Sequence, residues 1–198
     1  MNINKKPTWY KIVALLGMIF VLLTLVGCAR LFFIYVAGQE TITAANDGDF
    51  PKVKRLVAAG ADVNDGDADL GTTALALASN RGYANIVQYL LSKGANVSTV
   101  DNSGKTALIM AASNGHVDAM KILLAHGIDI NAQDRSGRTA LMDAVYNGRA
   151  EAVQLLLSYK ANVNMRDNEG KTALGIALYF DSSRAVITRM LKRFYAKE

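Results

Sequence analysis

A chain of 198 residues with 51% hydrophobic content has room for one folded unit of ordinary domain size plus an appendage. The formal charge of +5 is front-loaded, with Lys5, Lys6 and Lys11 and no acidic residue in positions 1–27, and the rest of the chain is close to balance. So small a net charge gives no support to a nucleic-acid-binding reading, which normally needs a concentrated basic face, and the single cysteine, Cys28, excludes an internal disulfide.

Residues 12–29 carry no charge and come after the three lysines, the pattern of a secretory signal and equally of an N-terminal membrane anchor. Leu25, Val26, Gly27 and Cys28 resemble the bacterial lipobox, in which a small residue precedes the cut and the cysteine thiol carries the lipid. On that reading residues 1–27 are a signal peptide, Cys28 is the lipid-attachment site of a lipoprotein, and residues 28–38 are its tether. The apolar stretch "LFFIYVAG" at 31–38 supports the other reading, an uncut transmembrane helix over 12–37. Trp9 and Tyr10 then sit at one interface and Tyr35 near the other. Arg30 lies roughly 27 Å along such a helix at about 1.5 Å per residue, close enough to the far boundary to snorkel. Both readings leave the remainder of the chain on the extracytoplasmic side of a membrane, the periplasm or cell surface if the source is bacterial.

From residue 40 onward the chain repeats with a period of 33. Gly71, Gly104, Gly137 and Gly170 align, and each is followed two residues later by Thr-Ala-Leu. Unit ends align too, as "LLSKGANVS" at 90–98, "LLAHGIDIN" at 123–131 and "LLSYKANVN" at 156–164, with a fainter copy at 53–64 and one extra residue in the loop after it. In the unit over 101–133, Gly104 suits a tight turn and the Thr106 hydroxyl can cap the following helix. The short helix "ALIMAASN" uses small residues that let units stack, and Gly115 stops it. A second helix presents Met120, Leu123 and Leu124 at helical spacing and ends at Gly127 in the left-handed conformation. One such unit cannot bury its apolar face, whereas a stack can.

The G-x-T-x-L starts, the "NGH" turn at 114–116 and the "GADVN" ending at 60–64 resemble the ankyrin repeat over about 160 residues. The resemblance implies an all-α fold, an ankyrin-repeat solenoid of helix-turn-helix units with extended loops, preceded by the N-terminal hydrophobic helix. It divides the chain into an N-terminal cap at 39–66, repeats at 69–100, 101–133 and 134–166, and a C-terminal cap at 167–198. The family's Pro after Thr is replaced by Ala74, Ala107, Ala140 and Ala173. Lys160 stands where other units have Gly60, Gly94 and Gly127, at an expected cost of roughly 1 kcal/mol. After Phe180 the pattern breaks, and Arg184, Arg189, Lys192, Arg193 and Lys197 are expected on a polar outer face.

Catalytic and metal chemistry find no footing. Asp65, Asp67 and Asp69 are spaced like the start of a calcium loop, but Leu70 and Ala76 occupy the positions that need glycine and glutamate. His116 belongs to the repeat's own turn, and His126 suits a helix C-terminus. No nucleophile set, phosphate loop or cofactor motif is present, so no enzyme, cofactor or metal is expected.

Family resemblance implies a protein-binding surface built from loop tips and short-helix faces. Here these are Asn102, Ser103 and Lys105, then Arg135 and Arg138, then Asn168 and Lys171, with Asp143 and Tyr146 interrupting an otherwise small, apolar helix face. Lys105, Arg138 and Lys171 recur as a row of positive charge, which serves either solubility or an acidic partner. The expected function is a membrane-tethered, noncatalytic interaction module outside the cytoplasm, acting as a monomer on an unidentified protein partner. Two alternatives stand beside it: an immunity protein blocking an envelope-acting toxin, and a purely structural envelope protein.

Overall fold

The structure, a computed structural model, describes residues 34–180 and 184–195. Cys28, the lipobox and most of the 12–37 span lie outside the described residues. No helix among those described is long and apolar enough to cross a membrane.

Ten helices are present among the described residues. The first, α1, covers residues 34–47. After it come α2 (Phe50–Ala58), α3 (Ala74–Arg81), α4 (Ala84–Ser92), α5 (Ala107–Asn114), α6 (Val117–Ala125), α7 (Ala140–Tyr146), α8 (Ala150–Ser158), α9 (Ala173–Tyr179) and α10 (Ala185–Tyr195). Helices α3, α5, α7 and α9 pack on one another in chain order as an inner layer, and α2, α4, α6, α8 and α10 do the same as an outer layer. Loops at the unit boundaries project from the inner side.

Each inner helix starts on a threonine in extended backbone, because a helix leaves its first N–H groups without partners. The hydroxyls of Thr73, Thr106, Thr139 and Thr172 accept from the backbone N–H three residues on, at 3.2–3.3 Å. The acceptance does not need the family's proline, so Ala at the next position is tolerated. Inner helices approach closely because Ala78, Ala111, Ala112, Ala144 and Ala177 are fully buried where two layers meet. Larger residues, Leu90, Met120, Leu123, Leu156 and Leu191, fill the space between layers from the outer side.

Outer helices end in a shared hydrogen-bond pattern. After α6, Gly127 N–H donates to Leu124 O and Ile128 N–H to Leu123 O, with Gly127 at φ +79°. Lys160 takes the same place after α8 at φ +60°, and is the one non-glycine residue with positive φ among the described residues.

A second run of contacts joins units at the turn between inner and outer helices. Each turn glycine, Gly48, Gly82, Gly115 and Gly148, lies directly under a side chain of the following unit: Tyr83, His116, Arg149 and Arg184 in turn. Arg149 Nε also donates to Ser113 O at 3.1 Å, and Arg184 donates to Val145 O and Tyr146 O at 3.1 and 2.8 Å. Arg184 therefore departs from the expected outer face. The carbonyls at the end of α7 need donors, and a guanidinium supplies several in a fixed fork.

Residues 34–38, assigned to the tether by sequence, are part of α1 and continue into the cap without a break. Ala37 is buried, Gly38 abuts the Asp65 carboxylate, and Gln39 Nε2 donates to Gly66 O at 3.1 Å.

Candidate functional site

The loop tips are organised by aspartates. Asp101 Oδ1 accepts from Ser103 N and Lys105 N, both at 2.8 Å. Asp134 Oδ1 accepts from Ser136 N and Arg138 N at 2.8 and 2.9 Å, and Asp167 Oδ1 from Glu169 N and Lys171 N at 3.0 and 2.8 Å. A single carboxylate thus folds each five-residue turn. In the first loop, one residue longer, Asp67 engages both oxygens with Asp69, Leu70 and Thr72 N–H. Burial works to raise its pKa, but the backbone donors Leu70, Thr72 and Asp69 outweigh it and hold the carboxyl below the usual range.

Successive tips are joined edge to edge. Asn102 N donates to Leu70 O at 2.8 Å, Arg135 N to Ser103 O at 2.9 Å, and Asn168 N to Ser136 O at 3.0 Å. The side-chain amides of Asn102 and Asn168 reinforce this by donating to Asp69 O and Arg135 O at 3.0 and 2.9 Å. Asn102, Ser103, Arg135 and Asn168 are all exposed, as expected of tip residues, yet the two asparagine amides are already bonded to the preceding tip.

The row of positive charge is not free. Lys105 Nζ and Arg138 Nε converge on Asp143, 3.7 Å from Oδ2 and 3.2 Å from Oδ1, while the Asp143 side chain is only 4% exposed. Burial raises the Asp143 pKa above the ordinary carboxylate value; Arg138 and Lys105 pull it down without cancelling that, and Asp134 adds to the rise. Lys171 pairs instead with Glu169 at 2.6 Å, and that hydrogen bond raises its pKa. Two of the three cations are thus tied to a buried carboxylate, and the third to an exposed one.

Above this charge cluster lies an aromatic one. The Arg138 guanidinium stacks over the Tyr146 ring, 4.4 Å to its centroid. Tyr146 meets Phe180 edge-on at 5.2 Å, and Tyr179 meets Phe180 edge-on at 5.5 Å. Between the last described tip and α9 these groups line an open cleft of about 210 Å³, bounded by Arg138, Tyr146, Lys171, Ile176, Tyr179 and Phe180. Tyr179 is 79% exposed and Tyr146 is 47% exposed. The cleft offers aromatic faces, two cations and tip carboxylates, a mixture suited to holding a peptide segment and lacking any aligned nucleophile and base.

Of the residues singled out by sequence, Lys105, Arg138, Asp143 and Tyr146 come together in one cluster, with Lys171 across the cleft. Asn102 and Ser103 sit on the exposed part of the same turn as Lys105, and Arg135 and Asn168 on the next two tips. Phe180, which ties Tyr146 to Tyr179, is a site residue that sequence reasoning does not pick out, although its place in "LYF" after a small-residue helix marks it. The same holds for the aspartates Asp101, Asp134 and Asp167, despite their recurrence every 33 residues.

The family model described as "Ankyrin repeats (3 copies)" matches residues 41–134, and the one described as "Ankyrin repeats (many copies)" matches residues 123–177. No curated protein matches the chain.

Proposed function

Because the chain belongs to the ankyrin-repeat family, whose repeats generally bind other proteins, we propose that it is a membrane-tethered, noncatalytic protein-binding module displayed outside the cytoplasm. The tether is the apolar N-terminal segment, either lipidated at Cys28 or left whole as a helix over 12–37, and the three lysines before it favour export of the repeat domain. The partner docks on the inner face, over the cleft between the third repeat and the C-terminal cap. The observation that carries this reading is the exposure of Tyr146 and Tyr179 at a rigid, charge-lined cleft. Tyrosine on a preorganised frame is among the commonest kinds of binding hot spot, since it offers a large contact at small entropic cost. Asp143 contributes from below by fixing Arg138 against the Tyr146 ring.

Two experiments test the two halves. Intact mass of the membrane-extracted protein, wild type against Cys28→Ser, distinguishes a lipidated chain lacking residues 1–27 from a full-length one; a full-length chain found in the soluble fraction contradicts tethering. For binding, protein solubilised from its own membrane should retain one stoichiometric partner that Tyr146→Ala and Tyr179→Ala each release, while Gln154→Ala on the outer layer does not. Retention by both tyrosine variants contradicts the inner-face site.

A further inference from the structure

Charge is distributed unevenly over the outer helix layer. Its middle is nearly neutral: α4 has no charged residue, α6 pairs Asp118 with Lys121 at 3.4 Å, and α8 contributes Glu151. Its two ends are not. Helix α2 carries Lys52, Lys54 and Arg55, and α10 carries Arg189, Lys192 and Arg193, with no acidic residue in either helix. On α10, Ile187 and Leu191 face the stack and are buried, which turns Arg189, Lys192 and Arg193 to the opposite, exposed side. None of the three has a hydrogen-bond or ion-pair partner among the described residues. Val186 and Phe194, 57% and 39% exposed, border them.

A cap that only needs solubility mixes signs along its surface. A one-signed face edged by apolar side chains fits a different surroundings, a layer of phosphate groups over hydrocarbon. At the other end of the same layer, α2 lies against α1, where Lys52 pairs with Glu40 at 3.4 Å, and the apolar N-terminal segment precedes α1 in the sequence, so a bilayer holding that segment starts out near this end of the layer. We propose that the outer layer lies along an anionic lipid surface, held there at its far end by Arg189, Lys192 and Arg193 of α10. This rests on the membrane-tethered reading above. The tether keeps α10 near the headgroups, so a contact too weak to recruit a free protein is enough to orient a bound one. Lying on its outer layer, the stack turns the loop tips and the Tyr146–Tyr179 cleft away from the membrane and toward an arriving partner.

The test uses the full chain with Cys28→Ser and Ala185→Cys, labelled with a fluorophore at residue 185 and incorporated into vesicles carrying a headgroup quencher. Quenching should be about threefold greater in phosphatidylcholine vesicles containing phosphatidylglycerol than in phosphatidylcholine alone, and should fall to the neutral level in high salt. Arg189→Gln, Lys192→Gln and Arg193→Gln together should abolish the difference while far-UV circular dichroism stays unchanged, because all three side chains are exposed. Equal quenching in both vesicle types, with the protein resisting an alkaline wash, overturns the α10 contact and leaves the tether standing. Charge-dependent quenching in a protein that the wash removes supports the contact and contradicts the uncut helix as the tether, since Cys28→Ser has already removed the lipid. A label that responds to soluble polyglutamate but not to anionic vesicles also overturns the proposal, by identifying an acidic protein as the occupant.

Discussion

Left-handed backbone recurs at three places in each unit, the loop tip, the turn between the two helices and the end of the outer helix, and the first and the last differ in what surrounds them. At the tip, a Cβ on Gly104 would come 2.9 Å from Arg135 N, and one on Gly137 would come 2.8 Å from Asn168 N. At the helix end, a Cβ on Gly60, Gly94 or Gly127 would meet nothing within 4 Å. Gly104 and Gly137 are thus required twice, by their own φ and by the backbone of the next unit, whereas the helix-end glycines are required by φ alone and Gly71 meets chiefly the Asn102 side chain, at 3.1 Å. That difference explains why Lys160 can stand at a helix end, and it identifies the tip row as the seam that keeps the units in register. Gly170, the last tip glycine, has nothing within 4 Å and behaves like a helix-end position.

The comparison is broken most severely at the seam. Gly137→Ala should destabilise by about 2–3 kcal/mol, combining positive φ with a backbone collision, while Gly170→Ala should lose only about 1 kcal/mol. Denaturant midpoints of the two variants check this, and equal losses would mean that the tips do not press on one another. Asp134→Ala, which leaves Ser136 and Arg138 N–H without their acceptor in a half-buried turn, should lose about 1–2 kcal/mol by the same measurement. Lys160→Gly should gain about 1 kcal/mol by removing the φ penalty where space is open.

The smallest effect concerns pH. Asp143 has a folded pKa above its unfolded value, so its protonation favours the folded state. The stability it contributes is complete below the unfolded value of about 3.9 and is lost as pH rises through the raised folded pKa. Relative to Asp143→Asn, the wild type should therefore gain stability as pH is lowered from neutral toward that value. Thermal melts of the pair across that window measure the gain, and a gap independent of pH would show that Arg138 and Lys105 fully compensate burial.

Much of the architecture was legible in the sequence because it resides in backbone requirements that repeat. The four Thr-Ala-Leu starts are four capped inner helices, and Gly127 and Lys160 are left-handed where the alignment puts them. The site was legible only in part. Asp143 and Tyr146 stand out as an acid and an aromatic on a small-residue face, but a carboxylate held by cations from two different tips is a long-range arrangement that no local spacing encodes. The tip aspartates recur as regularly as the glycines, yet an aspartate that folds a turn reads in sequence like one that merely carries charge. Arg184 and Phe180 fall where the repeat breaks down, so no other unit reveals their roles.

Site-specific photo-crosslinking in membranes tests the central claim, that partners engage the inner face of the stack. A photoreactive phenylalanine analogue at position 179, which keeps an aromatic ring there, should give one discrete protein adduct, weakened by Tyr146→Ala, and the same residue at position 154 on the outer layer should give no protein adduct. Adducts from position 154 with none from 179 would contradict the claim.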